Sequence, residues 1–183
     1  MTCSRPLLNA LLAAALALSA PAAAAADGVG ALLQRLSDPE LDRWQRVERR
    51  LVSEWSKSGS SAMDLLLQRG RDALEEGRID TAIGHLTALT DHAPDFAEGW
   101  NARAAAFHQR GDHGPAMEDL ARALALNPSH FGALAGLGVI LEETGRDAQA
   151  LAAFRAAQAI HPHQPVISRA VERLAARVSG RET

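Results

Sequence analysis

An all-α fold, a right-handed α-solenoid of three helix-turn-helix repeats between an N-terminal helix and a C-terminal capping helix, is what this sequence of 183 residues predicts. Two observations lead there. Pro94, Pro128 and Pro162 stand 34 residues apart, and so do Gly77, Gly111 and Gly145, and Ala82, Ala116 and Ala150. Within each interval the apolar residues recur at helical spacing, first on one side of the glycine and then on the other. A fixed period of this length marks one supersecondary unit copied in tandem, whose apolar faces are buried by stacking on neighbouring copies.

The chain opens with a leader. Met1 to Pro6 carries Arg5, Leu7 to Leu18 is apolar apart from Asn9, and Ala24-Ala25-Ala26 gives the small-x-small pattern of signal cleavage. Residues 1–26 therefore read as a cleavable signal peptide. The strongly apolar part, about 12 residues, is too short for a membrane span, which needs about 20, so no transmembrane segment is expected after cleavage. Cys3, the chain's one cysteine, lies ahead of the apolar stretch, and the mature chain would have none. That excludes disulfides, thiolate metal sites and a cysteine nucleophile. The expected location is periplasmic or secreted, and the arginine and alanine bias, with Lys57 the sole lysine, suits a bacterial source.

Residues 27–61 form an N-terminal helical segment. Asp38 followed by Pro39 reads as a helix start, with Leu41, Trp44, Val47, Leu51, Val52 and Trp55 on one apolar face. Trp44 and Trp55 are almost three whole turns apart and so project from the same side. This face either caps the first repeat or is an exposed interface helix. The opposite face, with Arg43, Arg46, Arg49, Arg50 and Glu54, is a solvated mixture of charge. Ser58-Gly59-Ser60-Ser61 breaks the helix, with Ser61 a cap for the next.

The repeats occupy residues 62–164, as 63–96, 97–130 and 131–164. Their first helices carry Leu66, Ala73 and Leu74, then Trp100, Ala104 and Phe107, then Leu134, Leu137, Gly138 and Leu141. A glycine follows each time, suited to the left-handed conformation that closes a helix. The second helices start near Asp80, Asp112 and Asp147 and carry Ala82, Leu86 and Leu89, then Ala116, Leu120 and Ala123, then Ala150, Phe154 and Ala157. Small residues at one phase of each helix (Gly70, Ala104, Gly138; Ala82, Ala116, Ala150) let the paired helices approach. Residues 165–183 form the capping helix and tail, with Val166, Ile167, Ala170, Val171 and Leu174 on one side.

The run Trp100, Ala104, Phe107, Gly111, Ala116, Leu120, Ala123, Pro128 resembles the tetratricopeptide repeat, and Leu134 to Pro162 matches it again in phase. The first repeat is looser, with Ala73 in place of the usual large aromatic. The resemblance implies a concave groove lined by the first helix of each repeat, which receives a peptide or helix of a protein partner. By phase the groove residues are Leu67, Arg71 and Leu74, then Glu98, Asn101, Ala105, His108 and Gln109, then Ala135, Val139 and Glu142. Leu67, Leu74, Ala105, Ala135 and Val139 would give an apolar strip, and Glu98, Glu142 and Glu143 an acidic far end, favouring an apolar or amphipathic ligand with some positive charge. The carboxylate clamp of the family's chaperone-binding members is missing, since Leu67, Ala102, Gly132 and Gly136 stand at its positions. Arg69 and Arg103 replace the family's leucine one period apart, either as snorkelling side chains that reach Asp72 or Asp119 or as anion-binding donors.

Without the leader the chain carries 18 basic and 22 acidic residues, a net charge of −4, which gives no electrostatic reason to bind nucleic acid. Phosphate loops, metalloprotease helices and serine elbows are not found, so no catalysis and no cofactor are expected. Of seven histidines, His161 with His163 and His108 with His113 come nearest to a metal site. A pair of imidazoles lacks the further donors that such sites use, so none is expected. His92, His130 and His161 sit beside the recurring proline turn, which favours structural roles. The first functional expectation is a non-enzymatic periplasmic interaction module, a scaffold or assembly factor, and the resemblance also accommodates the holding of unfolded apocytochromes. The alternative is a structural envelope protein that self-associates as a homo-oligomer through the Trp44 and Trp55 helix.

Overall fold

The computed structural model describes residues 28–180, so the expected leader lies outside the described residues. Within them the chain forms helices and no strand: α1 (Val29–Leu36), α2 (Trp44–Trp55), α3 (Ser61–Glu75), α4 (Ile79–His92), α5 (Ala97–Arg110), α6 (His113–Leu126), α7 (Phe131–Glu143), α8 (Asp147–Ile160) and α9 (Pro165–Ser179). Helices α3 to α8 pair as three hairpins that stack in order, α3 beside α5 and α5 beside α7, with α9 on α8.

Each hairpin turns where the glycine period requires. Gly77, Gly111 and Gly145 have φ of 73°, 90° and 74°, a left-handed conformation that costs glycine nothing. The next residue's N–H then reaches back to close the helix: Arg78 to the Ala73 carbonyl, Asp112 to Phe107 and Arg146 to Leu141, at 2.8 to 2.9 Å. The small residues set the spacing within a hairpin. A Cβ on Gly70 would sit 2.5 Å from Leu86, and one on Gly138 would sit 2.8 Å from Phe154. Leucine and phenylalanine fill the space that glycine vacates.

The N-terminal segment differs from its expected form. Asp38 opens only a local turn, its carboxylate accepting from the Glu40 N–H at 3.0 Å, and Arg43 at φ 55° interrupts the chain before α2 begins at Trp44. A separate helix, α1, precedes it. Val52 leaves the expected apolar face and is exposed, and so is Val166 on α9. Ser61 lies inside α3 instead of capping it; Asp64 gathers the loop by accepting from the N–H and Oγ of Ser58 at 2.7 and 2.6 Å.

The segment also docks elsewhere than expected. Leu32, Leu36, Val47 and Leu51 share a core with Phe131, Phe154, Ile167 and Leu174, in the third repeat and the cap rather than the first repeat. Leu36 and Leu51 are fully buried, which stabilises this docking by about 1.5–3 kcal/mol each. Helix α2 runs along the proline-turn ends of the hairpins in reverse order. Trp55 stacks on His130 with centroids 4.6 Å apart and touches Phe131, while Trp44 packs against His161 and His163 at 5.2 and 5.8 Å. Gln164 donates to Glu48, and His163 Nε2 donates to the Asp38 carbonyl at 2.9 Å. The tryptophan face proposed for self-association is therefore engaged within the chain.

Candidate functional site

The row α3, α5, α7 presents the groove, and its two halves differ. Between α5 and α7 lies a pocket of about 300 Å³ bordered by Asn101, Ala105, His108, Gly132, Gly136 and Val139, with Ala104, Leu120 and Ile140 completing its lining. It exists because three of the bordering positions have a methyl group or no side chain. A Cβ on Gly136 would lie 3.5 Å from Leu120, ordinary contact, so this glycine opens the surface without being demanded by a close approach.

Between α3 and α5 the surface is closed by ion pairing. Glu98, only 7% exposed, accepts from Arg71 Nη2, and at 2.6 Å from His130 Nε2, with Asn101 Nδ2 at 3.3 Å. His130 Nδ1 accepts from the Ala133 N–H at 3.2 Å, which places the imidazole proton on Nε2, facing Glu98. Burial by itself raises the Glu98 pKa, but the hydrogen bond from His130, followed by the charge and hydrogen bond of Arg71, outweighs it and holds the carboxyl below its ordinary range. Trp55 covers the other side of His130, and Arg71 Nη1 donates to Ser56 Oγ at 3.1 Å, so this cluster also anchors the N-terminal segment.

The eleven groove residues therefore scatter. Asn101, Ala105, His108 and Val139 meet around one pocket. Leu67 and Arg71 border a separate depression near Ser56, and Leu67, 2% exposed, belongs to the first repeat's core. Leu74 and Ala135 pack against cores, and Gln109 is exposed. Glu98 is an internal ion-pair partner rather than an acidic surface group. Glu142 is held by Arg173 and Arg177 at 2.7 and 3.1 Å, and Glu143 meets His108 at 2.8 Å. Two of the three acidic groups, Glu98 and Glu142, are paired with arginines within the chain, which weakens the reason to expect a positively charged peptide.

Arg103 and Arg69 also part company. Arg103 grips Asp119 with two bonds of 2.7 and 2.8 Å, donates to Thr90 Oγ1 at 2.8 Å and lies 4.8 Å over the Trp100 ring. Asp119 and Thr90 are buried, so this arginine locks α4, α5 and α6 together and has no donor directed at the pocket. Arg69 is exposed and forms no such pair among the described residues.

Residues 67–120 and 116–165 each match the Tetratricopeptide repeat family. A tetratricopeptide-repeat-containing protein of Rhizobium etli is 34% identical over 151 residues, 82% of this chain and 73% of that protein. Among solved structures, the first repeat domain of Spaghetti (RPAP3) bound to an HSP90 peptide is 20% identical, with a TM-score of 0.63 over 66% of this chain and 95% of its own. The Yersinia enterocolitica type III secretion chaperone SycD, in complex with a peptide of the translocator YopD, is 14% identical with a TM-score of 0.60 over 64% and 95%. This chain belongs to the tetratricopeptide repeat family, and its fold is the α-solenoid of such repeats. No helix among the described residues is long and apolar enough to cross a membrane.

Proposed function

We propose that this chain is a non-enzymatic interaction module of the bacterial periplasm, a scaffold or assembly factor that holds an apolar segment of a partner protein in its groove. One observation carries the reading: the pocket between α5 and α7, with apolar walls at Ala105 and Val139, polar groups at Asn101 and His108, and a floor left open by Gly132 and Gly136. Its size suits one or two apolar side chains of a peptide or helix, with the amide oxygen of Asn101, whose nitrogen donates to Glu98, available to accept from a backbone N–H. The structural relatives that carry peptides, SycD and RPAP3, support this use of the fold. The periplasmic part of the proposal rests on the leader pattern of residues 1–26.

The test is quantitative capture from an extract of exported proteins by the wild-type chain, by Val139→Glu and by Leu65→Glu. Leu65 is an exposed residue of α3 outside the pocket. A partner retained by wild type and Leu65→Glu but lost with Val139→Glu supports the groove. Equal recovery by all three removes it.

A further inference from the structure

We propose that His108, His113 and Glu143 form a binding site for one divalent transition-metal ion, with zinc the best match to the donor set. The three residues come from three helices. His108 lies in the last turn of α5, His113 is the first residue of α6, and Glu143 is the last residue of α7. One ligand atom from each lies within 4.8 Å of the others, with His108 Nε2 2.8 Å and His113 Nδ1 3.8 Å from the same Glu143 oxygen. Zinc bonds of about 2.0–2.2 Å in a tetrahedron set donors roughly 3.3–3.6 Å apart, so small side-chain rotations would close the set around an ion.

Two further features point the same way. His113 Nδ1 is buried and has no hydrogen-bond partner among the described residues, although it lies 3.8 Å from a Glu143 carboxylate oxygen, and a metal would satisfy it. The backbone field is also favourable, since the carbonyl ends of α5 and α7 meet here and only α6 contributes an amino end. Arg110, the nearby cation of α5, is drawn away by Asp80 and Asp112 at 3.0 and 2.5 Å. The Asp112 N–H bonded to Phe107 fixes the turn that joins the two histidines. Two imidazoles and a carboxylate are the ligands of open zinc sites, which keep a further coordination position for another group. His108 also borders the pocket between α5 and α7, so the ion would lie at the rim of the groove. The site itself does not depend on the groove being used.

The test is calorimetric titration of the tag-free chain with zinc chloride at neutral pH, alongside cobalt titration read by visible d–d absorption. The expected result is one saturable ion per chain, weakened about tenfold or more by His113→Ala and by Glu143→Gln, and unchanged by His163→Ala. Zinc should also raise the melting temperature of wild type but not of the two ligand variants, a readout that registers only binding to the folded chain. Absence of saturable binding, or binding lost through His163→Ala and kept in Glu143→Gln with native helicity, overturns the site.

Discussion

The two junctions along the groove are built from the same repeat and end in opposite states. Where α3 meets α5, Arg71, Glu98, His130 and Asn101 fill the surface with a buried polar network; where α5 meets α7, Ala105, Gly132 and Gly136 leave it open. One period along, Glu98 is replaced by Gly132, and that exchange explains much of the difference. The closed junction is devoted to holding the array and the N-terminal segment together. The open one has no such duty and is the place proposed for a partner.

If this contrast holds, substitutions should sort by junction. The largest effect belongs to Glu98→Ala, which leaves His130 and Arg71 without their carboxylate. Breaking a buried pair costs about 3–5 kcal/mol, and the partial exposure of Arg71 puts this case near about 3. Urea unfolding of the variant checks it, and an unchanged midpoint would make the network ornamental. Next comes Gly138→Leu, expected to cost about 1–3 kcal/mol by forcing side-chain atoms into Phe154, again read from the melting transition.

Acid should act in two windows, first where α2 docks on His161 and then at the closed junction. Burial first, then repulsion from His163, hold the His161 pKa below its ordinary 6.5 against the pull of Glu48, so the unfolded chain binds a proton more readily. Stability from this group is complete above about pH 6.5 and is lost as pH falls toward its folded value. Trp44 fluorescence should therefore report loosening of α2 as pH falls below about 6.5, and His161→Phe should remove the change. Glu98, whose pKa is lowered, holds until below its ordinary 4.5 and then fails in turn.

The smallest effect on stability is expected at the open junction. Gly136→Ala meets only ordinary contact and gains about 0.5–1 kcal/mol of helix propensity, yet it places a methyl group in the pocket. A slightly higher melting temperature together with weaker partner capture would sharpen the contrast. Unchanged capture would argue that the partner does not enter.

What could be read from the sequence follows from how local each feature is. The hairpin turns at Gly77, Gly111 and Gly145 and the small residues at Gly70 and Gly138 are set within one or two periods, and repetition makes them visible. The left-handed Arg43 has no such repetition, and Asp38-Pro39 masks it as a helix start. The docking of Trp44 on His161 joins residues more than a hundred positions apart, beyond any periodic signal. At the groove, phase placed Asn101, Ala105, His108 and Val139 on one surface, but it could not tell that Glu98 points inward, because its partners His130 and Arg71 lie 32 and 27 residues away, off the repeat period. His108 and His113 were visible as a pair; Glu143, their third neighbour, arrives from the next repeat.

The most direct test of the central claim places a photo-crosslinking residue at Ala105 in the open junction and at Gln68, an exposed α3 residue that shares the depression of Leu67 and Arg71 beside the closed one, with the captured partner present. An adduct formed strongly through position 105 and weakly or not at all through 68 is the outcome expected here. Equal adducts at both positions, or a stronger one at 68, would contradict the assignment of the partner to the space between α5 and α7.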